Sequence, residues 1–235
     1  MEESLLILIP ARGGSKSIPK KNLVDLCGKP LVEWTILQAV QVHPTSNIVL
    51  SSDDKDILEV GKKYGIICHK RPTDLSSDTA STESLMVHIL NKYRKVSSLM
   101  VLQPTSPLKL STHIEEAYHK FKKLHAGSLF SATKTHYCSW EWNKIRSQWE
   151  GMWPKSKQGL RMRRQDWPES VVENGAIYIV DRCHFLLTEN RFCGSVEVYQ
   201  MPSWTRFEVD SREDLGLVRI IMATRWGHGC NGVTT

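Results

Sequence analysis

Glycine and basic residues lie together in the segment that follows the first apolar stretch of the chain. The apolar run Leu5–Ile9 leads into Pro10–Lys16, which contains Arg12, Gly13 and Gly14. Consecutive glycines let backbone N–H groups approach phosphate oxygens closely, and basic side chains add charge-assisted hydrogen bonds. The segment lacks both the Walker A ending and the GxGxxG pattern of dinucleotide binders. It therefore predicts a phosphate-binding loop of another kind, with a solvated basic turn as the alternative.

The elements around this loop alternate between strands and helices. Short apolar runs predict strands at 5–9, 48–50, 66–68, 99–102, 128–132, 174–180 and 196–201. Helical spacing predicts helices from Pro30, at 56–64, 82–95 and 214–225, and from a cap at Ser111 to 123. This pattern predicts an α/β fold with a Rossmann-like, doubly wound, mostly parallel sheet. Ligands of such sheets bind at the carboxyl ends of the strands, so we expect the loops after Ile9, Leu50 and Leu102 to meet at one crevice.

Size and charge limit the classes of function. With 235 residues and 40% hydrophobic content, the chain fits one domain, 1–235. Its net charge of +6 comes from 31 basic and 25 acidic residues spread along the sequence. A nucleic-acid binder more often carries one dense basic stripe with interleaved aromatics. The charge therefore favours small anionic substrates and no nucleic-acid partner.

Tryptophan is concentrated in the segment 135–170. It holds five of the eight tryptophans, namely Trp140, Trp142, Trp149, Trp153 and Trp167, without a long helical or strand period. We expect an inserted extension whose aromatic side chains are buried against a second subunit, which predicts a homodimer. A local mini-core within the same chain is the alternative.

The cysteines and the apolar runs bear on location. The six cysteines form no CxxC pair and no zinc-ligand spacing. No signal peptide precedes the domain, and Leu5–Ile9 is too short for a membrane span. These features predict free thiols, a cytoplasmic protein and no membrane partner.

Five motifs in order carry a resemblance to a known family. They are IPARGGSKSIPKKNL with GKPL, RPTDLSSDTAS, LQPTSPL, RRQDWPESVVENGAIYI and FEVDSREDL, between Leu6 and about Ile221. Together they resemble the cytidylyltransferases of the CMP-N-acylneuraminate (CMP-sialic acid) synthetase family, which have the nucleotide-diphospho-sugar transferase type of fold. The resemblance implies an enzyme that transfers CMP from CTP to the anomeric hydroxyl of an acidic nine-carbon sugar, with release of pyrophosphate.

The resemblance also assigns residues. It implies that the nucleotide is bound by Arg12, Gly13, Ser15, Lys21, Asn22, Arg71, Asp78, Ala80 and Ser81. It implies that the sugar is bound by Gln103, Ser106, Arg164 and Gln165. Lys21 is expected near the reacting α-phosphate, where its ammonium offsets the developing charge. The predicted catalytic residues are Lys21, Arg12 and Asp210.

A pair of carboxylates is implied as the metal site. Matching family members often carry Asp-x-Asp and hold Mg²⁺ with it, whereas this chain has Glu208 and Asp210. Spacing of two along a strand puts both side chains on one face, so they can share Mg²⁺ or another divalent cation. Glu208 is one methylene longer than aspartate, which makes Asp210 the more direct ligand. Asp214 is expected instead in the first turn of the last helix.

Two other classes of function remain open at this stage. A related nucleotidyltransferase could pair GTP with a sugar 1-phosphate, or CTP with the eight-carbon acid KDO. A non-catalytic nucleotide-binding module is the second alternative, since a fold does not by itself imply an activity. Glu208 in place of aspartate is the feature that favours the module.

Overall fold

A central sheet of seven strands organises the chain, in a computed structural model that describes residues 4–77, 79–152, 155 and 160–227. The strands are β1 (Leu5–Pro10), β2 (Asp25–Leu26), β3 (Lys29–Pro30), β4 (Ile48–Ser52), β5 (Ile67–Lys70), β6 (Ser98–Leu102), β7 (Ser128–Lys134), β8 (Ser139–Asn143), β9 (Gln148–Met152), β10 (Val171–Asp181) and β11 (Val196–Met201). The helices are α1 (Leu31–Val40), α2 (Lys55–Lys62), α3 (Thr82–Lys92), α4 (Ser111–Lys123), α5 (Arg182–Thr188) and α6 (Arg212–Trp226).

The strand order in the sheet is β11-β7-β10-β6-β1-β4-β5. Every neighbouring pair is parallel except the two that β10 makes with β6 and β7. The carboxyl ends of β1, β4, β5 and β6 therefore lie at one edge of the sheet. Since β10 runs the other way, it begins at that same edge. The predicted mostly parallel sheet is confirmed.

Both faces of the sheet are covered, as a doubly wound fold requires. Ile7 and Ile9 of β1 belong to a core cluster that includes residues of α1, α2 and α4. Leu6 and Leu8, on the opposite face, pack in a cluster with residues of α3 and α5. The four side chains are at most 3% exposed. A strand covered on both sides is continuously apolar, which explains the uninterrupted run at 5–9.

A hairpin occupies the middle of the tryptophan-rich segment. Strands β8 and β9 pair only with each other, and Trp142 contacts Trp149 across them with ring centroids 5.6 Å apart. Trp140, Trp142 and Trp149 remain 56%, 48% and 61% exposed. These three tryptophans therefore form no buried mini-core in this chain. Trp153 lies outside the described residues.

Some local predictions were wrong. Ser111 is the first residue of α4 rather than its cap, and the Leu110 N–H donates to His113 Nδ1 instead. Cys27 is disulfide-bonded, which corrects the prediction of free thiols, whereas Cys68, Cys138, Cys183 and Cys193 are free. Cys230 lies outside the described residues. No described helix is long and apolar enough to cross a membrane.

Candidate active site

A cavity of about 310 Å³ opens at the carboxyl edge of the sheet. It lies where the loops after β1, β5 and β6 meet, close to the start of α3. The lining residues are Pro10, Arg12, Gly14, Ser15, Lys21, Asn22, Arg71, Ala80, Ser81, Thr82, Leu85, Gln103, Pro104 and Thr105. Seven of the residues predicted to bind nucleotide line it, together with one predicted to bind sugar. Asp78 lies outside the described residues.

The loop after β1 is held against the loop after β4. The Gly13 N–H donates to Asp53 Oδ1 at 2.9 Å, and a Cβ on Gly13 would lie 2.7 Å from the Cβ of Asp54. Glycine is therefore required at this position by the close approach of a side chain. Because its N–H is already bonded to Asp53, Gly13 shapes the loop, whereas the neighbouring Gly14 lines the cavity.

At the cavity, Lys21 forms an ion pair with a residue that is distant in the sequence. It lies in a short 3-10 turn, and its Nζ is 2.8 Å from Asp210 Oδ1. The Lys21 side chain is 14% exposed and that of Asp210 is 70% exposed. The ion pair thus places the predicted metal ligand beside the predicted phosphate ligand, although Asp210 itself does not line the cavity.

Asn22 contributes a buried acceptor with no protein donor. Its Nδ2 donates to the carbonyl of Arg12 at 2.8 Å, but its buried Oδ1 has no hydrogen-bond partner. Buried polar atoms are nearly always paired in folded proteins. An amide oxygen at the wall of a cavity therefore suits a ligand that donates a hydrogen bond, such as a hydroxyl or an amino group.

Arg71 places a buried positive charge at the cavity. Its NH2 donates to the Ser51 carbonyl at 2.8 Å and its Nε to Ser51 Oγ at 3.3 Å. Burial, together with the nearby charge of Arg12, lowers the pKa of Arg71 to about 10, whereas Asp53 opposes this shift. Arg71 remains protonated at neutral pH. A buried cation next to a second cation is stabilised by a bound anion.

The loop after β6 connects the cavity to the carboxylate pair. Gln103 lines the cavity, whereas Ser106 is buried and its Oγ donates to Glu208 Oε2 at 3.3 Å. On the same side, the Val209 N–H donates to the Thr105 carbonyl at 2.7 Å. Ser106 therefore positions Glu208 in this structure.

Burial and electrostatics distinguish the two carboxylates. The pKa of Glu208 is raised, mainly by burial and then by the charge of Asp210, while Ser106 and Lys21 oppose the shift. Among the described residues no group of three or more His, Cys, Asp or Glu could hold a metal. The pair fits a hard cation such as Mg²⁺, which binds through one or two carboxylates and takes further ligands from substrate phosphates.

Arg164 and Gln165 are not part of the cavity. They lie in the 3-10 turn Arg164–Asp166, within the tryptophan-rich segment, and both are exposed. Their assignment to the sugar stays a prediction. Asp214 lies in the first turn of α6 and exchanges hydrogen bonds with Ser211, as expected for a capping residue.

Sequence reasoning missed four contributors to the site. Asp53 could have been found from its position at the carboxyl end of a strand, and Gly175 from its place inside one, since strand glycines mark close approach. Thr82 begins α3 and lines the cavity. Lys109, fully buried behind the loop after β6, had no sequence signal because lysine in a loop is normally exposed.

Replacing Gly175 by Ala is expected to destabilise the protein and displace Glu208. Gly175 has φ +61°, and an added Cβ would lie 2.1 Å from Glu208 Oε2. The backbone strain alone costs about 1–3 kcal/mol, and the clash with Glu208 adds to it. The free energy of unfolding from denaturant titration measures the loss. Gly65→Ala is the matched control, because Gly65 has φ +66° with nothing within 4 Å; an equal loss in both variants would contradict the clash.

A mostly parallel, doubly wound sheet with a cationic cavity at its carboxyl edge defines an α/β protein with a candidate ligand site where such folds bind their ligands. The chain belongs to the cytidylyltransferase family, whose profile matches residues 6–203. It is 33% identical over 213 residues to N-acylneuraminate cytidylyltransferase B of Danio rerio, covering 88% of this chain and 48% of that protein. It is 31% identical over 221 residues to pseudaminic acid cytidylyltransferase of Campylobacter jejuni, covering 92% and 95%.

A second bacterial relative and two solved structures are also similar to this chain. N-acylneuraminate cytidylyltransferase of Escherichia coli O18:K1:H7 is 31% identical, covering 92% of this chain and 52% of that protein. The chain thus spans about half the length of the zebrafish and E. coli relatives. The fold is shared with CMP:2-keto-3-deoxy-manno-octonic acid synthetase complexed with CTP (TM-score 0.68, 18% identity, covering 94% and 99%). It is also shared with 4-diphosphocytidyl-2C-methyl-D-erythritol synthase from Anaerococcus prevotii (TM-score 0.67, 13% identity, covering 94% and 98%).

Proposed function

We propose that this chain transfers CMP from CTP to the anomeric hydroxyl of an acidic nine-carbon sugar, a sialic acid or related nonulosonic acid. The observation that carries the proposal is the cavity in which Arg12, Lys21 and Arg71 converge beside Asp210. The names of the relatives supply the class of acceptor, since they act on N-acylneuraminate or pseudaminic acid.

In this proposal the cationic residues hold the triphosphate. Arg12, Lys21 and Arg71 neutralise its charge, and the Lys21 ammonium lies at the α-phosphorus as the phosphorus becomes five-coordinate. Ser15, Gly14, Ala80 and Ser81 complete the walls around the nucleotide. The Asn22 Oδ1 accepts a hydrogen bond from a hydroxyl or amino group of the nucleoside, because an acceptor cannot pair with a phosphate oxygen.

The acceptor sugar lies on the side of the loop after β6. Gln103 hydrogen-bonds the sugar, and Ser106 acts on this side through Glu208. Arg164 forms a bidentate pair with the sugar carboxylate, and Gln165 lies next to it. The anomeric oxygen forms a bond to the α-phosphorus, and the bond to the bridging oxygen breaks to release pyrophosphate. Holding the two substrates in line contributes much of the rate enhancement.

Asp210, assisted by Glu208, would hold Mg²⁺ or another divalent cation next to the phosphates. When bound, the cation supplies charge neutralisation of the triphosphate and of the leaving pyrophosphate. In this structure Asp210 Oδ1 contacts the Lys21 ammonium at 2.8 Å, so the carboxylate that would hold the cation also orients Lys21.

Pyrophosphate release tests the proposal and its rivals. The purified protein is incubated with each nucleoside triphosphate and a panel of sialic, legionaminic, pseudaminic and deaminated acids, with and without Mg²⁺. We expect release with CTP and at least one nine-carbon acid, and loss of release after chelation by EDTA. Release with GTP and a sugar 1-phosphate, or with CTP and KDO, would identify another nucleotidyltransferase. Nucleotide binding without turnover on any acceptor would identify a binding module.

The β8–β9 hairpin is proposed to bind a second copy of the chain, in the cytoplasm. Trp140, Trp142 and Trp149 expose a cluster of large aromatic side chains, and such side chains dominate many interfaces. Segment 135–170 also carries Arg164, so the interface would lie next to the acceptor side. The chain would thus form a homodimer, and the extension 135–170 would supply its interface.

Replacing Trp142 and Trp149 together by Ser is expected to convert a dimer into a monomer. The two rings contact each other on the exposed hairpin, so their loss removes the apolar surface without exposing a core. Sedimentation velocity measures the mass. Leu187→Ser is the control, because Leu187 is 84% exposed on α5, outside the hairpin. A wild-type monomer, or a double variant that stays dimeric, would contradict the proposed interface.

A further inference from the structure

A buried ammonium lies directly behind the loop that follows β6. Lys109 is fully buried, and its Nζ donates three hydrogen bonds. The acceptors are Thr35 Oγ1 of α1 at 2.8 Å and the carbonyl oxygens of Gln103 and Ser106, each at 3.0 Å. An ammonium has three donors, so every one of them is used. Two of the three bonds go to the main chain of a single loop.

That loop is fixed from both sides. On the α1 side, Gln38 Nε2 donates to the carbonyls of Pro107 at 2.9 Å and of Lys109 at 2.6 Å. On the other side, the Val209 N–H bonds to the Thr105 carbonyl at 2.7 Å. The loop therefore connects α1 to the segment 207–210, which carries the carboxylate pair and is irregular rather than the strand that the spacing of the pair predicted. Lys109 lies at its centre, where it holds the carbonyls on either side of Thr105.

Burying this ammonium costs free energy of desolvation, so filling space cannot be the reason why a lysine occupies this position. Desolvation lowers the pKa of Lys109 to about 7, whereas the negative charge of Glu208 opposes this shift. A leucine or methionine would fill the same volume without that cost, and replacing buried charges by apolar residues is often neutral or stabilising. The hydrogen bonds to the loop are what an apolar side chain cannot supply.

We propose that Lys109 is a positioning residue for the acceptor substrate, which fixes the loop carbonyls of Gln103 and Ser106 and so places Gln103 at the sugar and Ser106 against Glu208. The proposal rests on the proposed function for the identity of the acceptor. Lys109 touches neither substrate, and it acts through the loop. Lys21 bonds instead to Asp210 and Arg71 to Ser51.

Lys109→Met tests the proposal, because methionine keeps the stem and removes the donors. We expect the acceptor kcat/KM to fall roughly 100-fold, as for a misplacement of about 1 Å, with a raised KM for the sugar. CTP affinity, measured calorimetrically without acceptor, is expected to change by less than about threefold, since the three Lys109 donors bond to Thr35 and to the loop carbonyls of Gln103 and Ser106. The matched control Thr35→Val removes one acceptor but leaves both loop bonds, so its loss is expected to be less than about fivefold.

Amide hydrogen exchange provides a readout that does not need turnover. The Val209 N–H reports on the loop through its bond to the Thr105 carbonyl. In Lys109→Met we expect this amide to exchange about tenfold faster, whereas amides in β1 keep their rates. If the wild-type protein turns over no sugar acid, the proposed function fails, and the exchange measurement still decides the role of Lys109.

Three results would overturn the proposal. The first is an acceptor kcat/KM within about threefold of the wild type together with unchanged exchange at Val209. The second is a CTP affinity that falls in parallel with the acceptor parameters, which would indicate general support of the fold. The third is a loss in Thr35→Val as large as that in Lys109→Met. Phe185→Leu, a change in the buried core on α5, shows how a merely destabilised protein behaves in the same assays.

Discussion

Replacing Lys21 by Ala is expected to lower kcat by about two orders of magnitude or more, the range measured when one charge-stabilising donor is removed from an active site. The Lys21 side chain is mostly buried at the wall of the cavity, and its Nζ lies 2.8 Å from Asp210. In the proposed reaction, its ammonium lies where the charge of the reacting phosphate increases. Because this stabilisation is largest in the transition state, kcat falls more than CTP affinity does.

Lys20→Ala is the matched control for this experiment. Lys20 precedes Lys21 directly, but its Nζ pairs with Asp56 at 3.0 Å and its side chain is 62% exposed. Exposed ion pairs contribute little, so we expect turnover within about twofold of the wild type. Steady-state pyrophosphate release with CTP and the best acceptor measures both variants. A near-normal rate in Lys21→Ala would refute its assigned role, as would equal losses in the two variants.

Asp210→Asn is expected to reduce kcat by a similar factor and to raise the Mg²⁺ concentration that gives half-maximal rate. The substitution keeps the size of the side chain and removes its charge, so it weakens a hard-cation ligand selectively. Asp210 is 70% exposed and reaches the edge of the cavity through Lys21. A titration of rate against Mg²⁺ at saturating CTP separates weaker metal binding from slower chemistry.

Glu208→Gln supplies the comparison for the second carboxylate. Glu208 is bonded to Ser106 and faces Gly175, so glutamine can keep the hydrogen bond at that place. We expect a loss of rate about tenfold smaller than that of Asp210→Asn, since Asp210 is the more direct ligand. If Glu208→Gln reduced the rate more than Asp210→Asn, Glu208 and not Asp210 would be the more direct ligand. If neither variant shifted the Mg²⁺ dependence, the carboxylate pair would not be the metal site.

The sequence predicted the framework of the sheet because its signals are local. The apolar run at 5–9 and the alternation of elements gave the fold class, and α4 and β11 end where their patterns end. The strand β10 begins at Val171, three residues before the predicted start at 174, because Val171, Val172 and Glu173 also pair with β7. The hairpin of β8 and β9 was missed, since its two strands are five residues long each, pair only with each other and bury no apolar face.

The site was predictable in part for a similar reason. Arg71, Ser81 and Gln103 belong to recognisable sequence motifs, and in the structure they line one cavity. Lys109 and Gly175 could not be assigned, because their roles depend on contacts with residues distant in the chain, such as Thr35 and Glu208. Only the folded chain determines that a loop lysine is buried or that a strand glycine faces a carboxylate.

The ion pair between Lys21 and Asp210 spans 189 positions of the sequence and has a consequence for synthesis on the ribosome. Leu215, Val218 and Met222 of α6 pack in one cluster with Ile18 and Leu26, which follow the basic loop in the sequence. Residues near the basic loop therefore gain their contacts with α6 only after that helix has left the exit tunnel. A nascent chain that stops at residue 203, the end of the family match, carries all seven strands of the sheet but neither carboxylate. The proposed activity would therefore appear late in translation, when Lys21 meets Asp210.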